Sequence, residues 1–266
     1  MASNRIDVPP RSWAGDGTVR ARVVTGTPPL WSVEGGVSLG APPPGYLATK
    51  RVVDIFLSLC ALIALSPVLL VVAILVRVTS TGPIIYRQRR VGEGGRMFTM
   101  YKFRSMYENA GDHLHRQAYA RFMRGAGGNG KVDHETLAAL GGTSHLPTAM
   151  GRKPADPRIT SIGAFIRKTS IDELPQLVNV LRGEMSLVGP RPPIPYEVRL
   201  YAGPHLRRLR ARPGITGFWQ VFGRGRVEFE KMVEMDLDYI GRRSLWLDFR
   251  LLVLTVPVVL LRRGAH

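Results

Sequence analysis

The sequence has very little cysteine. Its 266 residues include one, Cys60, which lies in an apolar run. A single cysteine excludes a disulfide framework and a metal site built from several thiolates. The signatures of several common enzyme classes are also missing, because the sequence has no P-loop, no HExxH and no GxSxG. The six histidines are scattered and lack the spacing of a set of metal ligands.

Negative charge is also scarce. The chain has 20 Asp and Glu against 37 Lys and Arg, which gives 37 − 20 = +17, and all but six of the basic residues are arginine. Such a charge favours nucleic acid, an anionic membrane or phosphorylated substrates as partners. Arginine binds phosphate through two parallel hydrogen bonds, which favours phosphate recognition. The 45% content of hydrophobic residues excludes disorder throughout.

Residues 1–49 are rich in proline and glycine and carry a net charge of only +1, from four basic and three acidic residues. This composition predicts a disordered tail. The segment lacks a basic start followed by an apolar core, so it does not have the pattern of a signal peptide. The other +16 charges therefore belong to residues 50–266.

An uncharged apolar run of 22 residues extends from Ile55 to Val76. It is long enough to span a membrane as a helix. However, Ser66 and Pro67 interrupt it, and a proline inside a helix removes a backbone donor. Both flanks are basic, and positive residues favour the cytoplasmic side. Residues 50–78 are therefore predicted to form a re-entrant helix–break–helix, with a simple spanning helix as the alternative.

Residues 79–266 are predicted to form one α+β, predominantly helical domain. Strand-like runs on either side of Gly92–Gly95 predict a small β-hairpin. A polar, glycine-rich insert covers about residues 122–152. Amphipathic helices are predicted at Ser161–Arg167, Ile171–Arg182, Pro195–Arg210 and Glu228–Gly241, with an interfacial helix at about 244–263. The whole chain is thus expected to be a monotopic membrane protein.

Residues Gly125–Gly130 match the dinucleotide-binding pattern GxGxxG. The match is rejected, because no strand precedes it and no acidic residue follows about 20 positions later to bind a ribose. A loop is the better interpretation of this stretch.

The segment Arg167–Gln176 contains the one acidic pair for which the pattern indicates a chemical role. Ser170 and Glu173 have the spacing of a capping box, so a well-capped amphipathic helix is one interpretation. The functional alternative is that a helix N-terminus keeps Asp172 ionised as a nucleophile while Glu173 shares a Mg²⁺ ion with it. Further on, Gly189–Pro192 and Arg212–Gln220 each hold a basic residue between rigid or glycine elements, although each alone is typical of an ordinary loop.

From about residue 50 to 264, these features together resemble the bacterial sugar transferase family, the monotopic phosphoglycosyl transferases that act on polyprenol phosphate. The resemblance rests on several ordered blocks. They are the basic residues and Asp54 before the run broken at Ser66-Pro67, then Tyr86–Gly92, Tyr101–Met106, Asp156–Thr160, Arg167–Gln176, Met185–Pro192 and Arg212–Gln220.

The resemblance implies a membrane break at Ser66 and Pro67, a catalytic pair at Asp172 and Glu173, and Mg²⁺ held by that pair. Asp172 would attack the β-phosphate of a nucleotide-diphospho-sugar, usually a UDP-sugar, and release UMP. The aspartyl-phosphosugar would then pass to polyprenol phosphate. The substrate contacts implied are Arg167, Lys102, Arg104, Arg191, Arg212 and Gln220.

The expected partners are a UDP-sugar, polyprenol (undecaprenyl) phosphate and anionic membrane lipid, without nucleic acid. The expected place is the cytoplasmic face of the bacterial inner membrane, at the first membrane step of surface polysaccharide or glycoconjugate synthesis. The alternative is a non-catalytic, membrane-anchored basic protein that binds nucleic acid or anionic lipid. The transferred sugar, the role of the insert and the oligomeric state stay open, with a homodimer among the alternatives.

Overall fold

The fold is described from a computed structural model over residues 4–7, 22–25, 41–107, 119–120, 122–123, 158–223 and 227–260. It is mostly helical with small sheets. Strands β1 (Asn4–Asp7) and β2 (Arg22–Thr25) form an antiparallel pair within the predicted tail. The other residues up to 40 lie outside the described ranges, as does the predicted insert except residues 122 and 123, so both assignments stay predictions.

The apolar run forms one helix, α1 (Tyr46–Thr79), with Pro67 inside it. Ser66 and Pro67 thus lie within a continuous helix, and the predicted re-entrant break at these residues is not confirmed. Proline has no N–H to donate to the carbonyl four residues earlier. That carbonyl belongs to Ile63, and the Ser66 hydroxyl donates to it instead, at 2.8 Å. The neighbouring serine thus replaces the missing hydrogen bond, and the chain stays helical through the proline.

Both ends of α1 contact the same protein body. Near its start, Arg51 Nη2 donates to the carbonyl of Leu181 at 2.8 Å. Just beyond its end, the carbonyl of Ser80 accepts from Arg104 Nη2 at 2.7 Å. Most side chains between residues 59 and 71 are exposed. Among the described residues, α1 is the helix long and apolar enough to cross a membrane. The re-entrant path stays a prediction.

The predicted hairpin is confirmed. Strands β3 (Ile85–Val91) and β4 (Met97–Phe103) pair in antiparallel register around a 3₁₀ turn at Glu93–Gly95. Side chains alternate between the two faces of such a ladder. One face therefore carries Arg90 on β3 and Lys102 on β4, and both line the pocket described below.

Helix α2 (Ser161–Lys168) agrees with its prediction, and the Thr160 side chain caps it by accepting from the N–H of Gly163 at 2.9 Å. The predicted helix Ile171–Arg182 was wrong in its first half. Residues Ile171–Glu173 form a 3₁₀ turn, and helix α3 spans only Gln176–Leu181. Ser170 adopts a left-handed conformation with φ of 57° and makes no capping hydrogen bond, so the predicted capping box does not form.

The next region contains two short parallel strands with small helices around them. Strands β5 (Ser186–Val188) and β6 (Gly214–Thr216) are hydrogen-bonded in parallel. The predicted helix Pro195–Arg210 was wrong, since Gly203-Pro204 divides it and proline cannot continue a helix from its preceding turn. In its place lie α4 (Pro195–Val198), α5 (Gly203–Leu206) and a 3₁₀ turn at Arg207–Arg210.

Three helices complete the described chain: α6 (Phe218–Phe222), α7 (Phe229–Arg242) and α8 (Leu245–Leu260). Helix α7 agrees closely with its prediction and buries an apolar face that includes Phe229, Val233 and Ile240. A buried ion pair between Arg208 and Asp236, at 2.7 Å, fixes α7 to the turn before β6. The body beneath α1 is thus one packed unit that carries the acidic pair.

Candidate active site

Two glycine-containing loops pack backbone to backbone and form one wall of the site. A Cβ atom on Gly214 would lie 2.1 Å from the backbone nitrogen of Gly189, and a Cβ atom on Gly189 would lie 2.3 Å from the carbonyl oxygen of Arg212. Both positions therefore require glycine. The N–H of Gly214 donates to the carbonyl of Pro190 at 2.9 Å. The two loop motifs, Gly189–Pro192 and Arg212–Gln220, thus pack together as one structure. This packing positions Arg191.

This wall and the β3–β4 hairpin border a shallow pocket that is open to solvent. Four of the predicted site residues meet there. The residues that line it are Arg90, Met100, Lys102, Glu173, Gln176, Arg191, Pro192, Gly214, Ile215 and Gln220. Three cationic side chains, one carboxylate and two neutral amides therefore face the same space, a composition suited to a phosphorylated ligand that also carries uncharged polar groups.

The acidic pair lies on the 3₁₀ turn before α3, where Glu173 lines this pocket and its neighbour Asp172 does not. Glu173 Oε1 accepts from Lys102 Nζ at 2.6 Å, so β4 and the turn meet in an ion pair. Its neighbour Asp172 is buried, and burial raises the pKa of Asp172 to about 6, against the lowering effect of Lys102. The negative charge of Glu173 raises this pKa further, and the positive charge of Arg167 lowers it. The expected lowering of the Asp172 pKa by a helix N-terminus was wrong.

Arg90 was missed by the sequence analysis, and the structure places it at the base of the pocket. Its Nη1 donates to the carbonyl of Pro192 at 2.7 Å, while its Nε and Nη2 donate to Gln88 Oε1. Burial lowers the pKa of Arg90 to about 10, and the nearby charge of Arg191 lowers it further. Its place in the Tyr86–Gly92 block, on the same strand face as the pocket, was the available signal.

The other predicted site residues are placed differently. Arg167 lies in the last turn of α2 and acts on Asp172 through its charge. Arg212 lies 3.7 Å from Glu93, outside the set of pocket-lining residues. Arg104 is buried at the end of α1, where it donates to Ser80, and it does not line the pocket. Substrate contacts by these three arginines stay predictions.

The match to a family model decides the assignment of the chain. Residues 45–262 match the model described as bacterial sugar transferase. The chain belongs to the bacterial sugar transferase family. The match covers α1, the hairpin, the acidic pair and both glycine loops, so the whole described body from α1 onward is family structure.

Curated relatives support the same assignment. The chain is 39% identical over 227 residues to the exopolysaccharide production protein ExoY of Sinorhizobium fredii, with 85% of this chain and 92% of that protein covered. It is 41% identical to the undecaprenyl-phosphate galactose phosphotransferase of Salmonella typhimurium, over 82% of this chain and 41% of that protein. It is 38% identical to the UDP-glucose:undecaprenyl-phosphate glucose-1-phosphate transferase of Xanthomonas campestris, over 83% and 40%. The chain thus spans less than half the length of the latter two relatives.

Proposed function

We propose that this protein transfers a sugar 1-phosphate from a UDP-sugar to polyprenol phosphate, releases UMP, and so begins the assembly of a surface polysaccharide. The observation that carries the proposal is the buried carboxyl group of Asp172 beside the Lys102–Glu173 ion pair, which lines a pocket together with Arg90 and Arg191. The names of the relatives support the acceptor class, since two of them refer to transfer onto undecaprenyl phosphate.

Asp172 is the nucleophile in this proposal. One of its carboxylate oxygens forms a bond to the β-phosphorus, and the bond from that phosphorus to the α-phosphate oxygen breaks, so UMP departs with the electron pair. An acceptor phosphate oxygen then attacks the same phosphorus and the aspartyl bond breaks. The products are a polyprenol-diphospho-sugar and a free Asp172 carboxylate. Carboxylates serve as covalent nucleophiles in phosphoryl transfer generally.

The cations neutralise charge as it moves between the phosphates. Arg90 and Arg191 line the pocket, where their preorganised positive charges can stabilise a leaving phosphate. Lys102 binds Glu173 and also lowers the pKa of Asp172, which keeps more of the nucleophile ionised. Arg167 acts on Asp172 in the same direction.

Asp172 and Glu173 fit a Mg²⁺ ion. Within the described residues there is no group of three or more His, Cys, Asp or Glu side chains that could hold a metal alone. Magnesium in phosphoryl-transfer sites commonly takes only one or two carboxylates and completes its shell with water and substrate phosphates. The adjacent hard oxygens of the pair match that pattern, and the mutual repulsion that raises the Asp172 pKa would be relieved there. When bound, the ion supplies positive charge to the diphosphate.

The membrane arrangement in this proposal follows from α1. Its apolar middle is exposed while both its ends contact one body, which supports a re-entrant path with the pocket on the cytoplasmic face of the inner membrane. Helix α8 adds exposed Trp246 and Phe249, whose rings stack with centroids 5.8 Å apart. Such aromatic groups favour the membrane–water interface. A lipid-linked phosphate and a soluble UDP-sugar would then meet at the same boundary.

The proposal is tested with Asp172→Asn in membranes, by following UMP release from a panel of UDP-sugars in the presence of Mg²⁺ and polyprenol phosphate. We expect a loss of at least about a thousandfold, because an amide cannot form the covalent intermediate. Glu234→Gln is the matched control, since Glu234 is exposed and, among the described residues, its ion-pair partner is Lys231. Near-normal turnover by the Asp172 variant would exclude the covalent mechanism.

A further inference from the structure

Two neutral amide side chains lie among the cations of the pocket. Gln176, at the first position of α3, is only 3% exposed, lines the pocket, and forms no side-chain hydrogen bond with any described residue. Gln220, on α6, donates weakly from Nε2 to the carbonyl of Ile215 at 3.3 Å. Its Oε1 is buried and has no hydrogen-bond partner among the described residues.

A second buried amide on α3 has a structural role and provides a comparison. Asn179, three residues after Gln176, donates to the carbonyl of Thr99 at 2.7 Å and to Glu184 Oε2 at 2.6 Å. Its Oδ1 accepts from the N–H of Tyr101 at 3.1 Å. Asn179 therefore fastens α3 to β4, whereas Gln176 has the same chemistry and the same degree of burial without any such bond.

An amide that lines the pocket and bonds to no described residue contributes no hydrogen bond to the fold, so its polar atoms are left for whatever fills the pocket. Of the two glutamines, Gln220 has the buried and unpartnered atom, Oε1, which carries a stability cost. Such a cost is expected of a site built to bind a polar group. The two glutamines therefore have the environment of ligand-binding groups.

The chemistry of the amides indicates which part of the ligand they meet. Ionised phosphate oxygens only accept hydrogen bonds, whereas an amide side chain both donates and accepts them. The hydroxyl and acylamino groups of a sugar also do both, so they match an amide more fully than a phosphate does. The diphosphate is better matched by Arg90, Arg191 and Lys102, which only donate. Gln176 follows Glu173 by three residues, which keeps it near the phosphorus that carries the sugar.

We propose that Gln176 and Gln220 bind the hydroxyl or acylamino groups of the transferred sugar and so determine which sugar nucleotide is used. This inference rests on the proposed function and adds that the pocket has two parts with different ligands. The cations bind the diphosphate, and the amides bind the sugar.

The test uses the full chain in membranes, with Gln176→Met and Gln220→Met as variants of similar shape. UMP release is measured with UDP-glucose, UDP-galactose and UDP-N-acetylglucosamine, and inhibition by UMP is measured alongside. We expect kcat/KM for the preferred sugar nucleotide to fall about ten- to a hundredfold, with a smaller loss for the others. Inhibition by UMP should stay within about twofold of the wild type, because UMP lacks the sugar.

Stability provides the second readout. Gln176→Met should melt at about the same temperature as the wild type, because the Gln176 amide forms no hydrogen bond with a described residue. Asn179→Leu is the matched control and should melt lower, since it leaves the N–H of Tyr101 and the carboxylate of Glu184 without their partner.

Two outcomes would overturn the inference. If UMP inhibition weakens in parallel with kcat/KM, the amides bind the nucleoside and not the sugar. If all three sugar nucleotides lose activity equally, or none does, the amides do not select the sugar. A wild-type protein that releases no UMP from any of the three would instead count against the proposed function, so the two failures are distinguishable.

Discussion

Asp172 is buried, yet it must be ionised to act as the nucleophile of the proposed reaction. The rate of UMP release is therefore expected to depend on pH. Burial raises the pKa of Asp172 to about 6, so the carboxyl group is ionised and nucleophilic only above that pH. We expect kcat/KM for UMP release to fall on the acid side with an apparent pKa near 6. Lys102 lowers the Asp172 pKa, so Lys102→Met should move this acid limb to higher pH.

Both effects are tested by measuring UMP release between pH 5 and 9 for the wild type and for Lys102→Met. Lys231→Met is the matched control, because Lys231 is exposed and, within the described ranges, bonds to Glu234 alone. An acid limb that stays in place or moves to lower pH in the Lys102 variant would contradict the electrostatic role assigned to Lys102.

At the scale of elements, the two glycine loops depend on each other. A Cβ atom on Gly214 would meet backbone atoms of Gly189 that no side-chain rotation can move. Gly214→Ala should therefore separate the loops, displace Arg191 and lower kcat/KM at least about tenfold, with a stability cost of about 1–3 kcal/mol.

Gly203→Ala is the control, because nothing lies within 4 Å of its Cβ position. UMP release and melting temperature report both effects, and equal behaviour of the two variants would contradict the close packing of the loops.

Three helices also depend on one carboxylate. Asp248 at the start of α8 accepts from Tyr46 at 2.8 Å and from Lys50 at 2.7 Å, both on α1. It also accepts from Tyr239 on α7 at 2.7 Å. No local sequence pattern around Asp248 indicates these three distant donors.

Removing this carboxylate should loosen the attachment of α1. Asp248→Ala leaves the Lys50 ammonium largely buried without its partner, which costs about 3–5 kcal/mol when a buried ion pair is broken. The melting temperature in detergent should fall accordingly, and a second change, Lys50→Met, should recover part of the loss. Asp238→Ala removes an exposed ion pair with Arg242 and should cost less than about 1 kcal/mol. Similar losses in both variants would contradict the assigned role of Asp248.

The elements that local patterns determine were predicted well. The hairpin depends on alternation and glycine, and α7 depends on a regular apolar face, so both appear where the sequence indicates. The turn at Ile171–Glu173 was missed because a left-handed Ser170 and burial against β4 override a valid capping pattern. Four predicted contacts meet at the pocket, but Arg90 and Gln176 belong there through tertiary packing, which their local spacing does not show.

At the scale of the whole molecule, α1 relates the pocket to the membrane. A straight helix of 34 residues would be about 51 Å long, enough to leave its ends far apart on either side of a bilayer. Instead, hydrogen bonds hold both ends to the body that contains the pocket, at Leu181 and Ser80. In the proposed re-entrant path, the exposed apolar middle would lie in the hydrocarbon of the leaflet on the side of the body.

The re-entrant path predicts that both ends of α1 are accessible from the same side of the membrane. The chain has a single cysteine, so Cys60→Ser provides a background for Ala48→Cys and Thr79→Cys. A membrane-impermeant thiol reagent added to inverted inner-membrane vesicles should label both sites, and intact spheroplasts should leave both unlabelled. Arg51 and Arg104 attach both ends of α1 to one body. Labelling of either site from the outside would therefore mean that α1 spans the bilayer. One of the two attachments would then be absent in the membrane.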